Sequence, residues 1–262
     1  MIFPSYRDRY LPAMTLRRIG SLPDKPWAPV ILATGAIEQH GPHLPVAVDA
    51  LMGQVWLSLA LARLPSGASC YVAPPITIGK SNEHTGFPGT LMISRDTLRS
   101  QILAVARQVS AWGFRSLAVI NTHGGNVPVL VPTLREIRVR YGLRAGVLQS
   151  SPVKGLSAQE ATFGIHAGEV ETSWVMAAAG HLADPSKAGC EYPARIGDPG
   201  EVRPVAAPAL VSWISRDVSA SGIMGDAAAA TAQKGERWLE EGAAGYAAAI
   251  AEVCRLGKAS AP

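Results

Sequence analysis

The chain has 262 residues, 48% of them apolar, and a net charge of +4, enough for one domain with a substantial core. No apolar run is long enough to span a bilayer, and the opening MIFPSYRDRY lacks the apolar stretch of a secretory signal. The basic excess is small: its densest stretch, Arg135, Arg138, Arg140 and Arg144, reads as a solvated helix face or subunit contact, without the aromatic platform of a nucleic-acid binder.

Residues 1–27 are polar, irregular and proline-containing, a surface arm expected to wrap the domain or a neighbouring subunit. Residues 29–34 are an apolar run too short for a helix and read as the first strand. A helix follows over 49–64, where Leu51, Val55, Leu59 and Ala62 recur at helical spacing, and Pro65-Ser66-Gly67 ends it. Residues 70–78 read as the second strand. Ser94 is the expected N-cap of a helix over 95–112, stopped by Gly113. A third strand over 115–121, a helix over 129–140 and a fourth strand over 144–149 complete an alternation that predicts a mostly parallel sheet with helices on both faces. Residues 150–164 read as loop, and a helix is expected after His166-Ala167-Gly168. Residues 185–208, rich in Gly and Pro, read as a loop excursion, and 226–254 as one or two C-terminal helices. With no internal repeat and no second boundary, 1–262 is expected to be a single domain. Cys70, Cys190 and Cys254, odd in number and widely separated, argue against a disulfide framework and fit a reducing, cytoplasmic setting.

The chemistry gathers in the loops after the strands, on the sheet edge where open α/β folds bind ligands. The densest loop is LATGAIEQHGPHLPVAVD, residues 32–49, with Glu38, His40, His43 and Asp49. Glu38 and His40, two apart, leave an extended chain on the same side, and the Gly41-Pro42 turn brings Asp49 back toward them. Carboxylate with imidazole is a ligand set for Zn²⁺, Mn²⁺ or Fe²⁺. Thr122-His123-Gly124-Gly125-Asn126 follows the third strand; His123 is placed to join the cluster, and Gly124 and Gly125 let backbone approach a ligand. In HAGEVETS, residues 166–173, His166 is a candidate acid/base, and either Glu169 or Glu171 is a candidate ligand at the start of a helix. The loop after the second strand, with Ser81, Glu83 and His84, is expected to line a substrate cavity together with 150–165. Three carboxylates and two imidazoles exceed one catalytic zinc and suit two metals with Asp49 as the bridge, a centre that activates water for hydrolysis.

These motifs together resemble the creatininase family. The likeness rests on GAIEQHGPHLPVAVD at 35–49, GFPGTLMIS at 86–94, NTHGGN at 121–126, HAGEVETS at 166–173 and GIMGDAAAATAQKGE at 222–236. It implies an α/β/α sandwich, a metal-dependent amidohydrolase, and homo-oligomers that are often hexamers. By motif, Glu38, His40, Asp49 and His123 are the implied metal ligands and His166 the catalytic histidine. Creatininase itself has a ligand glutamate two residues past the histidine matching His123; here that position is Gly125, and Glu171 is the expected replacement. Creatininase also places a Trp before the catalytic histidine, where this chain has only Phe163 nearby. The glycine-type motif is more like the formamide-hydrolysing and mycofactocin-maturing branches, so the implied reaction is cleavage of a non-peptide or cyclic amide in a small molecule, the alternative being trimming of a modified precursor peptide. A third reading, from another class, is a metal-stabilised binding protein without turnover.

Overall fold

The structure, a computed structural model, describes residues 4–192 and 212–259. Its central sheet is parallel, with β1 (Pro29–Thr34), β2 (Tyr71–Val72), β3 (Ser116–Asn121) and β4 (Arg144–Val147) in the order β2-β1-β3-β4. After the short α1 (Leu16–Gly20), the crossovers are α2 (Val48–Ala62), α3 (Arg95–Ala111) and α4 (Val127–Tyr141). The carboxyl-terminal part adds α5 (Ala158–Phe163), α6 (Glu169–Ala179), α7 (Ser215–Val218) and α8 (Ala232–Ala259), with a small antiparallel pair, β5 (Cys190–Glu191) and β6 (Gly225–Asp226).

β1 shows why the sheet is covered on both sides. All six of its residues are buried, and they alternate between two apolar clusters as strand geometry requires. Val30 and Leu32 pack with Leu98 and Ile102 of α3 and Leu130 and Ile137 of α4. Ile31 and Ala33 pack with Met52 and Trp56 of α2, Val175 of α6 and Leu239 and Ile250 of α8. Each large aliphatic side chain taken from water contributes about 1.5–3 kcal/mol. The result is the three-layer α/β/α sandwich, with α3 and α4 on one face and α2, α6 and α8 on the other. Among the described residues, no helix is long and apolar enough to cross a membrane.

Two segments, the second strand and residues 150–164, differ from their sequence-based expectation. The second strand spans two residues, because Pro74 and Pro75 carry no N–H for the ladder; the chain bulges there and rejoins β1 at Ile76, which donates to Ala33 O at 3.0 Å and accepts from Gly35 N at 3.0 Å. Residues 4–27 lie along the domain: Val72 N donates to Arg9 O at 2.9 Å, and Tyr6 and Leu11 are buried, so this arm covers the β2 edge. Within 150–164, α5 forms instead of a loop. Ser157 caps it by accepting from Glu160 N at 3.0 Å, and the Ser157-x-x-Glu160 spacing is the signal that marks such a start. Most of the expected excursion, residues 193–208, lies outside the described residues. The C-terminal stretch is one helix, α8, notched by glycines: a Cβ at Gly235 would meet Ser173 O of α6, one at Gly242 the Trp56 ring, and one at Gly257 Trp27 O.

Candidate metal centre

The carboxyl edge of the sheet carries the site. Gly35 follows β1, and a Cβ there would fall 2.8 Å from the Asp49 carbonyl carbon, so glycine lets the start of α2 abut the strand end. The loop closes where Glu38 N donates to Val46 O at 2.8 Å, turning at Gly41, whose φ of 68° suits glycine. Asn126, fully buried, ties three loops together: its Nδ2 donates to Gly35 O at 3.1 Å, and its Oδ1 accepts from Lys80 N at 3.0 Å. Sequence reading saw Asn126 only as part of a turn. Glu171 arrives from the first turn of α6, behind Ala167. That alanine holds a φ of 51°, a conformation that costs a non-glycine residue roughly 1–3 kcal/mol, and its N–H donates to Glu171 Oε2 at 2.6 Å.

These loops bring together Glu38, His40, Asp49, His123, His166 and Glu171. Glu38 Oε1 lies 3.2 Å from His123 Nδ1 and 3.8 Å from His166 Nδ1. Asp49 touches both sides of the cluster: Oδ2 is 3.3 Å from His123 Nδ1, and Oδ1 is 3.6 Å from His40 Nε2. His40 Nε2 is also 3.7 Å from Glu171 Oε2. Glu38, His40, Asp49 and His123 are at most 4% exposed. Glu169, the other candidate, faces away and pairs with Lys234. His43 stays outside the cluster on Thr172 Oγ1 at 2.8 Å, and burial pushes its pKa down to about 4.

Backbone carbonyls decide which imidazole nitrogens are free. His40 Nδ1–H donates to Glu38 O at 3.0 Å, leaving Nε2 bare. His123 Nε2–H donates to Lys80 O at 3.1 Å, leaving Nδ1 bare. His166 Nε2–H donates to Gln39 O at 2.6 Å, leaving Nδ1 bare. Each free nitrogen faces carboxylate oxygens, and the other N–H of each ring is held by a backbone carbonyl, as in metal-ligating histidines. Glu38 Oε2, His40 Nε2 and Asp49 Oδ2 are buried with no hydrogen-bond partner, a costly arrangement unless a cation fills the centre. The proton equilibria agree. Burial lowers the pKa of His40 and His123, but Asp49 and its carboxylate neighbours outweigh that and raise them to about 9 and about 11. The carboxylates thus draw positive charge onto the imidazoles, and divalent cations would supply it instead. Burial raises the pKa of Glu171; burial, with His40 nearby, holds His166 well below the ordinary histidine range. The residues present therefore fit a divalent-metal centre.

Two cavities flank this cluster. The larger, about 660 Å³, is lined by Glu83, His84, Gly124, Gly125, His166 and Trp213, among others. The smaller, about 290 Å³, reaches Asp49 and Glu171 from the other side, with Trp56, Trp174 and Tyr246 on its far wall. Glu83, His84, Gly124 and Gly125 thus line the larger cavity. Ser81 does not: it is fully buried, with Oγ 3.3 Å from His123 Nε2, and supports that ring. Of residues 150–165 only Ile165 is in the described lining, because α5 and Ser150 pack elsewhere, Ser150 on Gly242 O at 3.1 Å; the rest of that wall comes from Met224, inside the 222–236 motif, and Trp213, which no sequence motif marked. Gly125 has its own reason: a Cβ there would run into the Glu83 carboxylate and the His123 ring.

A parallel α/β/α sandwich whose carboxyl edge collects buried carboxylates and bare imidazole nitrogens is the framework of a metal-dependent hydrolase. The family model described as creatininase, creatinine amidohydrolase, matches residues 12–250, and the chain belongs to the creatininase family. It is 33% identical over 216 residues to the mycofactocin precursor peptide peptidase of Mycolicibacterium smegmatis, covering 81% of this chain and 80% of that protein. It is 28% identical over 246 residues to the creatinine amidohydrolase of Pseudomonas putida, covering 85% and 88%. A solved mutant creatininase of the Zn–Zn type shares the fold, with a TM-score of 0.66, 23% identity and 96% of each chain covered. The chain is accordingly a metal-dependent amidohydrolase of the creatininase family.

Proposed function

We propose that the chain hydrolyses a non-peptide or cyclic amide at a two-metal centre that Glu38, His40, Asp49, His123 and Glu171 would hold. The observation that carries this is the convergence of buried, unpartnered Glu38 Oε2, His40 Nε2 and Asp49 Oδ2. Zn²⁺, Mn²⁺ and Fe²⁺ all suit mixed carboxylate and imidazole donors; solved creatininases of a Zn–Zn type and with Mn are among the structures sharing the fold. Divalent cations bound there would supply an activated water and polarise the amide carbonyl. His166 does the proton work. Its Nε2–H stays on Gln39 O and fixes the ring, while Nδ1 takes a proton from the water that attacks the amide carbon and gives it to the nitrogen as the C–N bond breaks, since that nitrogen departs poorly without one. Glu83, Gly124, Gly125 and Trp213 frame the substrate in the larger cavity. Free Cys70, Cys190 and Cys254 are consistent with a cytoplasmic enzyme, and the family resemblance with a homo-oligomer.

A second reading, trimming of a modified precursor peptide, draws support from the 33% identity to a mycofactocin precursor peptide peptidase and from a cavity with room for more than one residue. The test is metal content per subunit by elemental analysis, followed by turnover assays on cyclic amides, formamides and a precursor-type peptide. Near two equivalents with turnover of the small amides is the expected result. Two equivalents with turnover of the peptide alone would favour the second reading. Metal without any turnover would leave a binding protein, and no uptake would overturn the metal centre.

A further inference from the structure

We propose that His84 is a positioning residue for Glu38, carrying its single proton on Nε2 because the side-chain amide of Gln39 occupies Nδ1. The assignment rests on the metal-centre reading above and concerns a residue that stands beside the ligands without being one of them. His84 Nε2 lies 3.2 Å from Glu38 Oε1, and with Glu38 and His166 it makes a cluster of ligand-type atoms close enough to hold an ion. Proximity alone would make it a ligand. Its other nitrogen argues otherwise.

Two backbone groups orient the Gln39 amide. Its Oε1 accepts from Gly41 N at 2.9 Å, so oxygen sits on that side. Its Nε2 donates to Gly222 O at 3.2 Å, so nitrogen sits on the other. The same Nε2 is 2.9 Å from His84 Nδ1. An amide nitrogen has hydrogens to give and no lone pair to offer. His84 Nδ1 must therefore accept, and in the neutral ring the proton sits on Nε2, aimed at Glu38. Ser215 Oγ, 2.9 Å from the same Nδ1, can also donate to it. Gln39, His84 and Ser215 are all buried, and Gly222, with a φ of 91°, has no Cβ to collide with the amide.

The consequence for Glu38 is directional. Oε1 is engaged by the His84 donor and is also the oxygen nearest His123 and His166, while Oε2 is buried without a hydrogen-bond partner. His84 thus holds the carboxylate in its orientation toward those histidines. Ser215 lies two residues beyond Trp213, which lines the larger cavity, so one segment both walls the cavity and supports the histidine behind Glu38.

The test uses the full chain loaded with Zn²⁺, which is diamagnetic. Nitrogen-15 NMR of the histidine side chains should show His84 protonated on Nε2 with a bare Nδ1. His84→Leu should bind zinc about 10–100-fold more weakly in chelator competition, the usual effect of removing a partner behind a ligand, with the number of metals unchanged. His84→Gln, which keeps a donor near the Nε2 position, should recover most of that affinity, and stands alone with the NMR measurement if the leucine variant does not fold. A proton on Nδ1, a metal-shifted Nε2, loss of one metal equivalent in either variant, or affinity in His84→Leu equal to the parent's would each overturn the assignment. A parent chain that takes up no zinc would instead overturn the metal centre itself, and this role with it.

Discussion

Two regions of the molecule hold their functional residues by different means. From β1 to β4, apolar strands run between two packed clusters, and Glu38, His40, Asp49 and His123 emerge from strand ends fixed by burial. From α5 to β6, His166 and Glu171 hang on a polar knot. The buried Glu160 carboxylate accepts from Glu169 N at 2.9 Å, Asp226 N at 2.9 Å and Tyr192 OH at 2.8 Å. Gly164, Gly168 and Gly225 crowd around it so closely that a Cβ on any of them would touch it. His166 is then pinned to Met224 by an antiparallel bridge. A site can thus be assembled from a hydrophobic half, tolerant of exchange among apolar residues, and a hydrogen-bonded half in which one carboxylate organises several backbone turns.

The comparison can be broken most severely at Asp49, the member of the apolar half that lies beside both His40 and His123. Asp49→Ala should lower turnover about a thousandfold or more, the equivalent of roughly 4 kcal/mol of lost transition-state stabilisation, and should reduce bound metal by at least one equivalent while the circular dichroism spectrum stays native. Next come two substitutions of similar expected size and different origin. Glu160→Ala strands the donors that its carboxylate now satisfies, at about 1–3 kcal/mol for each one left unpaired, and should depress turnover as well as stability because His166 and Glu171 lose their support. Leu117→Ala, in the fully buried centre of β3, should cost about 2–5 kcal/mol and leave kcat nearly unchanged in the molecules that remain folded. Denaturant titration beside steady-state kinetics separates the two; equal kinetic effects would erase the distinction between the halves. The smallest effect is expected for Ser157→Ala, which removes the α5 cap for about 1 kcal/mol, a fall in Tm of about 2–4 °C in a thermal scan.

The difference between the halves also explains what the sequence made legible. β1, β3, α2 and α3 could be read because burial on one or both faces imposes apolar runs and helical spacing. Glu38, His40, Asp49 and His123 stood out because four metal-type side chains after strands are hard to account for otherwise. The shortening of β2 was visible in Pro74-Pro75 and outweighed by the apolar run around it. α5 was hidden because its six residues show little apolar periodicity, and only Ser157 with Glu160 announced it. Glu171 was separable from Glu169 only by the turn at Ala167, a backbone conformation that alanine does not advertise. Gln39, His84 and Ser215 form their contact across 45 and 131 positions of chain, a distance over which local pattern carries no information.

The glycine notches of α8 set a unique seat for the last helix. A slide of one residue along its axis would bring Lys234 or Glu236 to Ser173, Glu241 or Ala243 to Trp56, and Leu256 or Lys258 to Trp27, and each of these carries the Cβ that Gly235, Gly242 and Gly257 lack. The helix therefore works like a key cut to a single depth. Because the Gly235 notch bears on Ser173, two residues past Glu171 on α6, the far end of the chain gauges how far that carboxylate reaches toward His40.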